Sequence, residues 1–303
     1  MASTKEKLRN ALSEVRTLVL GAQILLGFQY QALFRPGFEE LPPYAKAMSA
    51  VTLAMMLASI ACLVAPSPFH RISEGGEATL RQLRYTKLML TAGLVPFALA
   101  IGADVGIATL RYLGPAFAAM CAVATIAVAS LLWFGIGLMQ RKHEDAREGP
   151  AEERDETVPL KEKISELLTE TRIVLPGAQA LLGFQLVAYL TEAFEKLSPT
   201  AKAVHTVSLF LIALAMVLLM TPAPYHRLAE RGEHTERFDR VGVRLVLAAL
   251  VPLALGLAGD FYVVLEKVSG SGGLALAGAA AVAAGSLVLW FVVPVAGRRH
   301  ATG

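Results

Sequence analysis

The chain has 303 residues, of which 55% are hydrophobic and 17% charged, with a formal net charge of +3. Its mean hydropathy of +0.53 is too high for a soluble domain, whose surface must carry enough polar groups to be solvated. No basic patch is free of acidic neighbours, which excludes a nucleic-acid surface, and two cysteines, Cys62 and Cys121, exclude a disulfide framework or a cysteine-based zinc site.

Eight apolar runs are each long enough to cross a ~30 Å hydrocarbon layer as a helix. They lie at about 17–34, 47–65, 88–110, 115–139, 173–190, 203–221, 243–265 and 273–296. The first follows Lys5, Lys7 and Arg9, but it is long for a signal-peptide core and no small-residue cleavage site follows. It is expected to be a retained span. It begins at Arg16 and carries Gln23 and Gln29 in "GAQILLGFQ". Arg16 and Gln23, seven residues apart, fall nearly on one helical face, and Gln29 falls on another.

The second run ends in "PSPFHR", so His70 and Arg71 close the span. Glu74, Glu77, Arg81 and Arg84 follow, a pattern that predicts a short amphipathic helix at the interface. His titrates near neutrality, so the sharper reading is a pH-responsive cluster. In the third run Pro96 predicts a kink, and Asp104 is costly in hydrocarbon unless paired or hydrated. Gln140 to Lys163 has mixed charge and little apolar content, and reads as a solvated tether.

The second half then repeats the first at an offset of 156. Arg172, Gln179, Gln185, His226, Arg227, Pro252 and Asp260 stand where Arg16, Gln23, Gln29, His70, Arg71, Pro96 and Asp104 stood, and Trp290 matches Trp133 after a slip of one. This divides the chain into a four-span repeat over 1–139, a linker over 140–163 and a second repeat over 164–303. An even number of spans per copy gives both copies one orientation, so the expected architecture is all-α. It comprises eight spans as two parallel four-helix repeats, related by a pseudo-two-fold axis along the membrane normal. With the N-terminus inside, 22 of the 28 Lys and Arg face the cytoplasm and 6 face outward. The positive-inside rule therefore places both termini and the linker in the cytoplasm.

The pattern Arg-x6-Gln-x-Leu-Leu-Gly-Phe, followed by "PSPFHR" or "TPAPYHR", resembles a bacterial family of small four-span membrane proteins catalogued only as a domain of unknown function. The chain is similar to two such units fused. The resemblance implies a bacterial cytoplasmic membrane location and imports no activity. Neither phosphate-binding, dinucleotide-binding, zinc-protease nor nucleophile-elbow motifs occur, and no enzyme activity, cofactor or metal is expected.

The leading functional expectation is a channel or transporter for a small ion or solute. Its pathway would be lined by Gln23, Gln29, Asp104, Gln179, Gln185 and Asp260. Its cytoplasmic gate would comprise Arg16, His70, Arg71, Arg172, His226 and Arg227, with kinks at Pro96 and Pro252. The alternative is a non-transporting scaffold or sensor whose polar residues lock helices together through interhelical hydrogen bonds and whose cytoplasmic loops bind a partner. The expected partners are the bilayer, a small ion and a second copy of the chain.

Overall fold

A computed structural model describes residues 4–135, 159, 162, 176–222, 225 and 235–301 of the chain. The described residues are helical throughout, joined by short turns. The first half contains α1 (Thr4–Ala32), α2 (Pro36–Glu39), α3 (Pro43–Val64), α4 (Pro66–Ile72) and α5 (Leu80–Ser130). The second contains α6 (176–188), α7 (Glu192–Glu195), α8 (Pro199–Met220), α9 (Glu236–Ser269), α10 (Gly272–Leu287) and α11 (Val293–Ala301). Seven helices among the described residues are long and apolar enough to cross a membrane. The fifth predicted span, 173–190, begins outside the described residues, and what is described of it is the short α6.

Local chemistry sets the boundaries. Proline opens α2, α3, α4 and α8, where its missing N–H costs no helical hydrogen bond. Thr79 and Thr235, 156 residues apart, cap α5 and α9 by accepting from the amides of Gln82 and Phe238, each at 3.0 Å. The third and fourth spans form one long helix interrupted at Gly114, whose φ of 74° only glycine adopts without strain, and Pro115 restarts the helix. The matching turn in the second half is Ser269–Gly270–Ser271, with Gly270 left-handed at φ 67°. This difference in turn chemistry sits where the register slips by one. Both α5 and α9 run through their prolines, Pro96 and Pro252, as helix.

His70 and Arg71 close the second span as expected, but no separate interfacial helix follows them among the described residues, and Arg81 and Arg84 belong to the start of α5. His70 and Arg71 belong to α4 itself, which continues the second span to Ile72. The chain then turns through Gly75 and Gly76, both with positive φ, directly into α5. Gln82 is fully buried and donates to the carbonyl of Pro66 at 3.0 Å, supporting the proline-interrupted turn between α3 and α4.

Both halves share one apolar core, to which α1, α3, α5, α8 and α9 all contribute. The two first spans touch closely. A side chain at Gly27 would collide with the Phe184 ring, and one at Gly177 would collide with Gln23. Small residues therefore set the helix separation, as expected where no hydrophobic force drives association. The last span reaches back across the first half. Trp290, fully buried in a π-helical turn, donates its indole N–H to the Ala61 carbonyl at 2.8 Å, and Arg81 donates to the Gly297 carbonyl at 3.0 Å.

Trp133, in the matching π-helical turn, instead stacks on Phe97 at 5.7 Å within its own half. Val217, the counterpart of Ala61, accepts the Thr221 hydroxyl at 2.8 Å, where the first half has Ala65. Both carbonyls accept an amide of their own helix; Ala61 adds a tryptophan from another helix, and Val217 adds a threonine from its own. Trp290→Phe is expected to lower unfolding stability in micelles by about 1 kcal/mol through loss of that interhelical bond. Trp133→Phe should have a smaller effect, read by denaturant titration of both variants.

Candidate functional site

Glutamine and aspartate cannot be left bare in hydrocarbon, and in each half they meet. Gln29 on α1 donates through Nε2 to Asp104 on α5 at 2.5 Å. Gln185 on α6 donates to both oxygens of Asp260 on α9, at 2.7 and 2.8 Å. Both pairs are separated by 75 residues, and their members are 156 residues apart between the halves. The second pair is the drier: Gln185 is 0% and Asp260 4% exposed. Gln29 and Asp104 are partly buried, with the Thr52 hydroxyl beside the carboxylate. In both glutamines Oε1 is buried and accepts no hydrogen bond.

The second pair is extended by residues that sequence reasoning did not place in the site. His205 is fully buried on α8, with Nε2 3.1 Å from the Gln185 carbonyl and Nδ1 2.6 Å from the Tyr30 hydroxyl. A carbonyl only accepts, so Nε2 carries the proton. In neutral imidazole Nδ1 then accepts from Tyr30, and both ring nitrogens are satisfied without a charge. The ring is caged by Tyr30, Phe34, Tyr189 and Phe194, at centroid distances of 5.9, 6.4, 4.8 and 5.3 Å. Tyr189 in turn donates to Thr206 at 2.6 Å. Tyr30 and Phe34 come from the first half, so the cage is built across both halves. The signal was present in the sequence: His205 is the one histidine placed inside a predicted span, where an ionisable side chain needs a partner.

An ion-pair clip closes this end. Lys267 at the end of α9 bonds Glu39 of α2 at 2.7 Å, and Lys46 reaches the same carboxylate at 3.3 Å. Both ammonium groups lie over the Phe38 ring, at 5.8 and 5.7 Å. The hydrogen bond from Lys267, with its charge and that of Lys46, holds the Glu39 carboxyl below its ordinary value of 4.5. Lys46 and Lys202, at matching positions, each also donate to a backbone carbonyl seven residues back, Glu39 at 2.9 Å and Glu195 at 2.7 Å.

The remaining predicted site residues scatter. Gln23 is 1% exposed and wedged against Gly177, with Oε1 accepting no bond. Its counterpart Gln179 is exposed, so the two equivalent glutamines meet different surroundings. The helix-packing geometry that buries one turns the other to the outside. Arg16 and His70 line a cleft between the halves, with Val19, Leu63, Val246 and Leu250 among its apolar walls and about 40 Å³ of free volume. Arg71 lines a separate, wider cavity nearer the helix ends. Arg172, His226 and Arg227 lie outside the described residues.

Apolar helices locked by buried polar pairs define a membrane-embedded helical protein. The chain belongs to the family of unknown function DUF6328, which it matches twice, over residues 4–137 and 153–294. It thus carries two copies of that domain in tandem. No curated protein matches the chain, and no solved structure does.

Gln185→Leu would leave the Asp260 carboxyl buried without its donor, and is expected to destabilise the protein by about 2 kcal/mol. Gln29→Leu should cost less, because Asp104 retains partial exposure and the Thr52 hydroxyl. Equilibrium unfolding of both variants and of Gln185→Leu with Asp260→Leu, which should recover part of the loss, checks the ranking. For the clip, a depressed carboxyl value means that Glu39 contributes stability above pH 4.5 and loses it as pH falls through the lower folded value. The difference in unfolding midpoint between wild type and Glu39→Gln should therefore be constant near neutrality and vanish in acid.

Proposed function

We propose that this protein is a non-transporting membrane scaffold or sensor, in which duplicated polar residues lock the helices and the loops at the cytoplasmic face bind a partner. The observation carrying this reading is that each aspartate is consumed by a glutamine of its own half, and that Gln185 and Asp260 are sealed from solvent. A conducting pathway needs polar groups that exchange ligands at each step. Here the most buried carboxylate accepts two hydrogen bonds from one fixed side chain. The cleft between the halves is lined instead mainly by aliphatic residues.

The proposed setting is the bacterial cytoplasmic membrane with both termini inside, supported by the distribution of Lys and Arg. The two copies are proposed to lie about a pseudo-two-fold axis along the membrane normal, with the α1–α6 contact nearest it. The Phe28–Phe184 ring pair, 4.7 Å between centroids, joins equivalent positions of the two first spans and supports such an axis, while the contacts of Gly27 with Phe184 and of Gly177 with Gln23 are not repeated at Gly183 and Gly21.

A second reading, an ion pathway, draws on a different observation. Both paired glutamines keep a free Oε1 beside a carboxylate, and the Asp104 pair is only partly buried. Together these oxygens could hold a small cation. Flux assays on purified protein in proteoliposomes, across a panel of cations, anions and pH gradients, separate the two. The scaffold reading expects no flux above empty vesicles, and Asp104→Asn with Asp260→Asn altering stability alone. Protein-dependent ion movement abolished by that double variant would replace it with the pathway.

A further inference from the structure

Two cavities are stacked along α9 at the end of the molecule that carries the start of α1. The deeper is the mainly apolar cleft, with Val246 and Leu250 on one wall, Leu63 on another, and Arg16, Ser67 and His70 as its polar groups. About one helical turn nearer the end lies the wider cavity, of about 340 Å³. Arg71, Arg240, Arg244 and Arg298 line it, with Asp239 the one acid among its described lining residues. The two are joined through the chain itself, since His70 and Arg71 are neighbours and Val243 and Val246 are three residues apart on one helix. Both halves of the chain contribute to each.

The partners of these arginines differ. Arg240 has a long, exposed contact to Glu236 at 3.9 Å, and Arg71 and Arg298 have interactions of their own. Arg16 and Arg244 make no hydrogen bond or ion pair with the described residues and are not among those with partners elsewhere. Arg16 is thus an uncompensated guanidinium at the polar edge of a mainly aliphatic cleft. Guanidinium matches phosphate in a planar, two-point geometry.

We infer that these cavities form one binding site for an amphiphile whose phosphate-bearing head sits among Arg16, Arg71, Arg244 and Arg298 and whose acyl chain lies against the mouth of the cleft beside Val246 and Leu250, since a free volume of about 40 Å³ does not admit a whole chain. The wider cavity has the volume of a small-ligand site. Its position at the helix ends is the depth of lipid headgroups, where basic pockets between spans hold anionic lipids. The inference is independent of the scaffold reading, because it uses neither Gln–Asp pair.

The test is thermal unfolding of the full-length protein in a neutral detergent. It is titrated with short-chain phosphatidylglycerol, short-chain phosphatidylcholine, or inorganic phosphate. Phosphatidylglycerol is expected to raise the unfolding temperature saturably, well below the concentrations at which the other two act. Arg16→Ala and Arg244→Ala should each raise its half-saturating concentration by about tenfold, whereas Arg237→Ala, an exposed arginine outside both cavities, should leave it unchanged. Arg244 is itself exposed, so its variant tests the site even where Arg16→Ala lowers yield. Equal protection by inorganic phosphate would assign the cavity to a soluble anion and overturn the lipid site. Equal protection by phosphatidylcholine, or wild-type binding in both variants, would overturn it as well.

Discussion

Hydrocarbon offers no hydrogen bonds, so every polar side chain placed within a span must find its partner inside the protein. The Gln–Asp pair between the first and third spans meets that demand in each copy, at the same sequence separation. Much else is arranged around it. The third span must present its acid to the first, which fixes their rotation, and the third span also packs on its other neighbours through glycine contacts. Gly256 and Gly259 lie against Ile212 and Ser208 in the second copy, and Gly102 and Gly106 against the fourth span in the first. Such a bond is individually modest, about 0.6 to 2 kcal/mol. Its larger effect is on specificity, because any other rotation would strand a carboxylate.

The two copies have used this shared lock differently. In the second, the neighbouring positions are occupied by His205 and an aromatic cage, and the pair is sealed. In the first, Ser49 stands at the position of His205, and Gln29 and Asp104 remain partly exposed. The carbonyls of Ala61 and Val217 diverge in the same way: one is bonded by a distant tryptophan and the other by a threonine in its own helix. Differences at matched positions, Ser49 and His205, Tyr30 and Leu186, Ala65 and Thr221, accompany different contacts between helices on one backbone plan.

Much of this plan was legible in the sequence. Seven of the eight spans, the repeat offset and the common depth of Gln29 with Asp104 and of Gln185 with Asp260 follow from hydropathy and spacing, because lipid permits few alternatives. What spacing leaves open is rotation. Gln23 and Gln179 occupy equivalent positions in near-identical stretches, yet one is buried against a glycine and the other is exposed. That outcome depends on which neighbour each helix face meets, a property of the assembled bundle and not of either segment. Tyr30 was overlooked for the same reason. Its counterpart in the second copy is Leu186, so the repeat pattern hides it, and its partner is 175 residues away.

The Tyr30–His205 contact also bears on why one chain holds both copies. Two identical units pairing about a two-fold axis must make every contact twice, with residue i meeting j and j meeting i. A tyrosine that meets a histidine across such an axis would do so at both ends, so two histidines would have to be buried and each supplied with two partners. In the fused chain the reciprocal positions are Leu186 and Ser49, and Leu186 is exposed. The buried histidine is thus paid for once. Covalent linkage removes the requirement of identity, and the structure shows that freedom used at the interface between the copies, where Tyr30 crosses to His205 and Trp290 to Ala61 without their mirror contacts among the described residues.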